Sequence, residues 1–207
     1  MENVSRWTVD PGAWLRAETH AALVALVDVV ELRDAATAGH SRRVAALART
    51  LAMRLGLPEA DVDRIRAAGL VHDLGKLAVD PAILTKSGPL TDEEWVQMRT
   101  HPVHGAAVVA RFAAIGDGAR LVRHHHEAWD GTGYPDRLAG EAIPLGARIL
   151  AVADTFDTLT WGRVYQPAKT VSAAWVIVEE GAGRQWDHRV VWALLGYLDR
   201  GMEPPGR

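Results

Sequence analysis

Apolar positions recur along this chain at helical rather than strand spacing. Between Trp14 and Val30 the residues Leu23, Val24, Leu26, Val27, Val29 and Val30 cover more than one stripe of a helix. Such a helix wants cover on two sides, from the domain's own core or from a second copy of the chain. His40, Val44, Leu47, Leu51 and Leu55 fall on one face of a second helix, which Gly56 is placed to end. Pro58 and Asp61 open a third, in which Val62, Ile65, Gly69 and His72 keep the spacing as far as Gly75, so His72 and Asp73 belong near its C-terminal end. Thr91 with Glu94 has the form of a capping box and predicts a helix that carries Trp95 and Met98 towards His101, where Pro102 breaks or restarts it.

A helix over Val103 to Phe112 then precedes a His-rich stretch. Asp130 to Pro144 holds too many glycines and prolines for regular structure and is expected to be a long loop, a feature that compact domains tend to keep for function. Leu145 to about Leu159, Val171 to Glu180 and Val190 to Leu198 have helical character. No strand alternation, internal repeat or low-complexity tract is present, so the expected fold is all-α, a single helical bundle. Residues 1–22 are expected to be an N-terminal extension leading into the first helix, 23–200 the domain, and 201–207 a tail.

Composition narrows the chemistry. Among 207 residues, 48% hydrophobic and 24% charged is the balance of a globular chain. A net charge of -3 with mixed signs offers no basic face for polymeric nucleic acid, so a small anionic substrate would need a local positive site. Without cysteine there are no disulfides, thiolate nucleophiles or sulfur-bound metals, and any metal must sit on nitrogen and oxygen. No apolar run approaches the roughly 20 residues that span a bilayer, so no membrane partner and a cytoplasmic location are expected.

The candidate chemistry lies in five of the nine histidines, His40, His72, His101, His125 and His126, together with Asp73 and Asp154. Alone, a histidine such as His40 or His101 is more often a core or surface residue than a ligand. Here each falls on or at the end of a separate predicted helix, as a bundle needs in order to point several ligands into one cavity. Imidazole and carboxylate donors suit iron, manganese, nickel or zinc. Adjacent residues on a helix point about 100 degrees apart, so His72 and Asp73 serve one spot only by flanking a metal pair that Asp73 bridges. Two divalent ions less the charges of Asp73 and Asp154 leave a surplus that matches two phosphodiester charges, and a bridging hydroxide would be the nucleophile. His20, His104, His124 and His188 have no such role.

His72-Asp73-Leu74-Gly75-Lys76 resembles the HD-x-G-K motif of HD phosphohydrolases, and His125-His126-Glu127, Asp130-Gly131 and Gly133-Tyr134-Pro135 resemble the HHE…DG-x-GYP signature of the HD-GYP family. Arg33-Asp34 with Thr37, His40 and Arg43 is similar to the RD-x-x-T-x-x-H opening of that family, and the likeness runs from about Leu23 to Leu198. The resemblance implies a cyclic di-GMP phosphodiesterase yielding linear pGpG and/or GMP, with iron or manganese in the site. One metal would take His40, His72, Asp73 and Asp154, and the other Asp73, His101, His125 and His126. Lys76 would be the catalytic cation beside Asp73. Gly133, Tyr134 and Pro135 would shape the substrate pocket and offer a surface to a partner protein, and Arg163 would grip a phosphate.

Two departures from the family pattern stand out. Ala36 replaces the glutamate of three-metal members, which predicts two ions. Arg163-Val164-Tyr165-Gln166 lacks the second basic residue of the R-P-Y-R/K segment, which leaves open an HD hydrolase of another cyclic dinucleotide or nucleotide. A module that binds nucleotide or protein without turnover is the other class of reading, and a homodimer through residues 14–30 is the expected route to regulation.

Overall fold

The computed structural model describes residues 11–33, 39–115, 117–162 and 168–199. Over them the chain is helical: α1 (Pro11–Arg33), α2 (His40–Arg54), α3 (Glu59–Val71), α4 (Pro81–Leu84), α5 (Asp92–Met98), α6 (His101–Val109), α7 (Gly118–His124), α8 (Leu145–Trp161), α9 (Val171–Glu180) and α10 (His188–Leu198). Strand-type pairing among the described residues is limited to a bridge between Ala182 and Trp186. The all-α bundle expected from the apolar periodicity is the observed architecture.

The core lies where α2, α3 and α8 meet. Val44, Leu47 and Leu51 of α2, Val62 and Ile65 of α3, and Ile149, Leu150 and Phe156 of α8 are all buried, each such side chain favouring the fold by about 1.5–3 kcal/mol relative to exposure. The predicted face of α2 is the buried one. Gly56 ends that helix at φ 75, with Leu57 N–H donating to Ala52 O (3.1 Å) and Gly56 N–H to Met53 O (3.0 Å), the paired bonds of a Schellman cap. In α1, Leu23, Val27 and Val30 are buried, whereas Val29 (46% exposed) and Leu32 (84%) face outward. One apolar stripe therefore serves the core and a second is left uncovered.

The third helix stops earlier than its periodicity suggests. The α-helical turn ends at Val71, His72 and Asp73 occupy the junction, and Leu74–Ala78 winds on as a 3-10 turn. This turn packs backbone to backbone: a Cβ built on Gly75 would lie 1.8 Å from His101 O and 2.5 Å from Gly105 N, so only glycine lets it rest against the start of α6. Arg33 Nη1 donates to Leu77 O (3.0 Å) and ties the same turn to the end of α1. α6 begins at His101, two residues before the expected start, because Pro102 fits the first helical turn, where no N–H is needed. The Thr91–Glu94 capping box is present in full.

The segment 130–144 is irregular apart from a 3-10 turn at Gly140–Ala142, and the Tyr134–Pro135 bond is cis. It is pinned to the α9–α10 connection by Trp129 N–H to Gln185 O (3.1 Å) and Asp130 N–H to Arg184 O (2.8 Å).

Candidate metal centre

Five helices deliver the ligand-type side chains to one buried spot. His40 opens α2, His72 and Asp73 follow α3, His101 opens α6, His125 and His126 follow α7, and Asp154 stands within α8. The imidazoles form a contiguous row, with ring centroids 5.2 Å apart for His40–His72, 5.1 Å for His72–His125, 5.4 Å for His101–His125 and 4.0 Å for His125–His126. Candidate donor atoms of His40, His72 and Asp73 lie within 4.8 Å of one another, as do those of His101, His125 and His126. Asp73 links the two groups, its Oδ2 being 3.5 Å from His72 Nε2 and its Oδ1 3.4 Å from His101 Nε2.

The hydrogen bonds on the far side of each ring decide which nitrogen faces inward. Nδ1 of His72 donates to Gly69 O (2.8 Å), that of His101 to Met98 O (2.8 Å) and that of His125 to Val122 O (2.6 Å). A carbonyl can only accept, so Nδ1 carries the proton and Nε2 keeps its lone pair. Those three Nε2 atoms are buried without a hydrogen-bond partner among the described residues. Burial pushes His101 and His125 below the usual histidine range and His126 down to about 3, so these rings are neutral donors.

His40 differs because both of its nitrogens meet carboxylates. Nδ1 lies 2.7 Å from Asp157 Oδ2 and Nε2 lies 3.2 Å from Asp154 Oδ1. Burial lowers this group, but Asp154 and then Asp157 outweigh it and raise it to about 9. A positive charge belongs between His40 and Asp154, and either a proton or a divalent ion can supply it. For Asp73, burial favours the neutral form, yet the Lys76 ammonium, 2.7 Å from its Oδ2, holds the carboxyl well below its ordinary value. His40 does the same for Asp154. Anionic carboxylates, neutral imidazoles and unmatched inward lone pairs are a donor set suited to divalent metal, and the residues present fit metal binding.

All seven ligand-type residues expected from the sequence are thus brought together, with Lys76 buried beside them. Gly133, Tyr134 and Pro135 line a cavity of about 470 Å³, and the Tyr134 ring stacks on His126 at 4.9 Å. Gly133 is required for close approach, since a Cβ there would lie 2.2 Å from Ala128 N. Arg163, Val164, Tyr165 and Gln166, like Asp34, Ala36 and Thr37, lie outside the described residues.

Sequence reasoning missed Asp157. It is buried, orients His40, and receives Arg43 Nε (2.8 Å) and Nη2 (3.0 Å), so that the arginine three residues after His40 steadies the carboxylate behind it. The signal was Asp154-x-x-Asp157, one helical turn apart on a mostly apolar helix. Glu127 was also passed over. It is buried, and its Oε1 accepts from Asp136 N–H (2.7 Å), fixing the GYP loop against α7. His124 has the ordinary role expected of it, with Nδ1 on Arg120 O (2.9 Å) and Nε2 on Asp136 Oδ2 (2.8 Å).

Comparison with known proteins places this geometry. A model of the HD domain family matches residues 25–190. The chain is 42% identical over 174 residues to the cyclic di-GMP phosphodiesterase response regulator RpfG of Xanthomonas campestris, covering 82% of this chain and 46% of that protein. It is 36% identical over 176 residues to 3′3′-cGAMP-specific phosphodiesterase 2 of Vibrio cholerae, covering 84% of this chain and 34% of that protein. The chain therefore spans less than half the length of these relatives. Among solved structures, a cyclic GMP-AMP-specific phosphodiesterase of V. cholerae (V-cGAP3) shares the fold with a TM-score of 0.68 at 18% identity, covering 86% of this chain and 48% of that one. An HDG"Y"P protein from Bdellovibrio bacteriovorus, Bd1817, does so with a TM-score of 0.63 at 19% identity, covering 77% and 51%. With the family model matched across most of its length and the ordered motifs gathered at one centre, the chain belongs to the HD domain family and is of the HD-GYP kind.

Proposed function

We propose that the chain is a metal-dependent phosphodiesterase that opens a phosphodiester of a cyclic dinucleotide, cyclic di-GMP first, to give linear pGpG and/or GMP. One observation carries this reading: three buried imidazole lone pairs, on His72, His101 and His125, have no hydrogen-bond partner among the described residues, and those of His72 and His101 lie 3.5 Å and 3.4 Å from the Asp73 carboxylate. The names of relatives that align with most of the chain support the substrate class.

Two divalent ions, iron or manganese, with zinc or nickel compatible with the same donors, would be held by His40, His72, Asp73 and Asp154 on one side and by Asp73, His101, His125 and His126 on the other. When bound they supply positive charge for the phosphate and the acidity that makes water a nucleophile. Lys76 is placed to offset the negative charge gained by the phosphate oxygens or to protonate the departing 3′ oxygen as water adds to phosphorus. Asp157 and Arg43 keep His40 in register. Gly133, Tyr134 and Pro135 form the wall that shapes the nucleotide, and Arg163 is assigned to grip a phosphate. The exposed Val29 and Leu32 on α1 support a homodimer through that helix, and the GYP loop is the surface proposed for a partner protein.

The test is an anaerobic hydrolysis assay with cyclic di-GMP on the unaltered chain and on Asp73→Ala. Loss of both metal and turnover in the variant is expected, and equal activity in the two proteins would end the proposal. A second substrate, cyclic GMP-AMP, is favoured by the V. cholerae relatives named for it, and the same assay run on both dinucleotides separates the two. Tight binding of either with no product would identify a receptor instead.

A further inference from the structure

Beside the histidine cage the chain keeps a positive site that the recognised motifs do not account for. Arg99, just after α5, and Arg137, in the GYP loop, line the same cavity of about 470 Å³ as Thr132, Gly133, Tyr134 and Pro135. The cavity adjoins the cage through Tyr134, whose ring stacks on His126 at 4.9 Å and lies 5.5 Å beneath the Arg99 guanidinium.

Neither guanidinium has a carboxylate partner among the described residues, although Arg42, Arg43, Arg64, Arg123, Arg148 and Arg189 all do. The contrast is sharpest at Asp136. It directly precedes Arg137, yet its carboxylate is turned away to Arg123 Nε (2.6 Å) and His124 Nε2 (2.8 Å). Arg137 is also the one non-glycine with positive φ among the described residues, at 54°. A side chain with a Cβ is disfavoured in that left-handed region, and such strain is characteristically kept where a side chain must be aimed. Arg99 lies over the Trp95 ring (5.7 Å) as well as the Tyr134 ring (5.5 Å), which hold the guanidinium at the cavity without offering it a carboxylate.

We propose that Arg99 and Arg137 hold the phosphodiester that is not being cut. The inference rests on the cyclic-dinucleotide reading above and adds a residue-level account of affinity to it. Such a substrate carries two phosphates in one ring, so a molecule with one phosphate at the cage must place the other close by. Two uncompensated guanidiniums select an anion over the neutral edge of a base, and a phosphate offers paired oxygens for bidentate contact.

The experiment uses the full, metal-loaded chain with Arg99→Met, Arg137→Gly and both together. Arg137→Gly removes the cation while placing at φ 54° the residue that adopts it without strain, so its thermal midpoint must not fall. Steady-state hydrolysis of cyclic di-GMP, 3′,3′-cyclic GMP-AMP and cyclic di-AMP is compared at two salt concentrations. Calorimetric binding of cyclic di-GMP is measured in parallel on the Lys76→Met chain, where turnover is suppressed. Each substitution is expected to raise KM and Kd by about tenfold, alike for every dinucleotide that the chain accepts, with less effect at high salt and kcat changed by no more than about twofold. Unchanged KM and Kd in the double variant would overturn the assignment. So would a loss confined to guanine-bearing ligands, which would mean a base edge is read, or a fall in kcat alone. If the unaltered chain binds cyclic di-GMP without cleaving it, a weakened Kd in the arginine variants keeps the phosphate site while the hydrolase reading fails; no binding at all overturns both.

Discussion

His124 and His125 are neighbours at the end of α7, and both are buried, but they spend their second nitrogen in opposite ways. His124 uses Nδ1 on Arg120 O and Nε2 on Asp136, which Arg123 grips in turn, while Glu127 takes the Asp136 N–H. That cluster is largely satisfied, with Glu127 Oε2 left without a hydrogen-bond partner among the described residues, and it clamps the GYP loop to the helix. His125 uses Nδ1 on Val122 O and leaves Nε2 buried and unmatched among the described residues, as His72 and His101 do. By proximity alone the two groups look alike, since the donor atoms of His124, Glu127 and Asp136 also lie within 4.8 Å of one another. The difference teaches that a cage for metal is recognised by several imidazole lone pairs left unmatched together, since a crowd of histidines and acids can equally be a hydrogen-bond network with most of its atoms satisfied.

The largest effect expected from breaking this contrast is at Asp73, which serves both halves of the cage. Asp73→Ala is predicted to empty both metal positions and to lower hydrolysis by on the order of 10³-fold or more, read by elemental analysis and product formation. Next comes Asp157, which orients His40 without facing the cavity. Asp157→Asn is predicted to weaken metal retention by about 10–100-fold in chelator competition, with the fold kept.

The third prediction concerns pH in the metal-free chain. His126 titrates near 3 when folded against 6.5 as a free side chain, so the unfolded chain takes up a proton that the folded one refuses. Stability then falls as pH drops below about 6.5 towards 3, and His101 and His125, also lowered, act in the same direction. His40, raised to about 9, contributes stability that is complete below about 6.5 and is lost as pH rises through about 9. Urea midpoints should therefore peak near pH 6.5 without metal. A metal must displace the His40 proton, so its affinity should rise with pH up to about 9. A flat profile of midpoints across the acid and alkaline ranges would contradict a neutral His126 and a protonated His40.

The smallest effect is expected at the His124–Asp136 cluster. Asp136→Asn should leave metal content unchanged and cost about 1 kcal/mol or less, because the Arg123–Asp136 pair is partly exposed and screened by water. Chemical denaturation with parallel elemental analysis checks it.

Much of this was legible in the chain. Helical periodicity located α2, α8, α9 and α10 closely, since long elements with one buried face write a repeating pattern. The seven cage residues were singled out because each carries its own chemistry, six of them at or beside a helix end and Asp154 within α8. What escaped did so for physical reasons. α4 and α7 are too short to show a period, and the packing of the turn after α3 on α6 through Gly75 is a contact that no local pattern encodes. Asp157 acts through a hydrogen bond to a residue 117 positions away. The pairing of Arg99 with Arg137 exists only once α5 and the GYP loop meet around Tyr134.

Metal content per chain, measured on protein purified without chelator and on Asp73→Ala prepared in parallel, tests the central claim most directly. The account predicts two ions in the unaltered chain and none in the variant, with the helical fold intact in both. A folded, unaltered chain that holds no metal, a reproducible value near three, or equal content in the two proteins would contradict it.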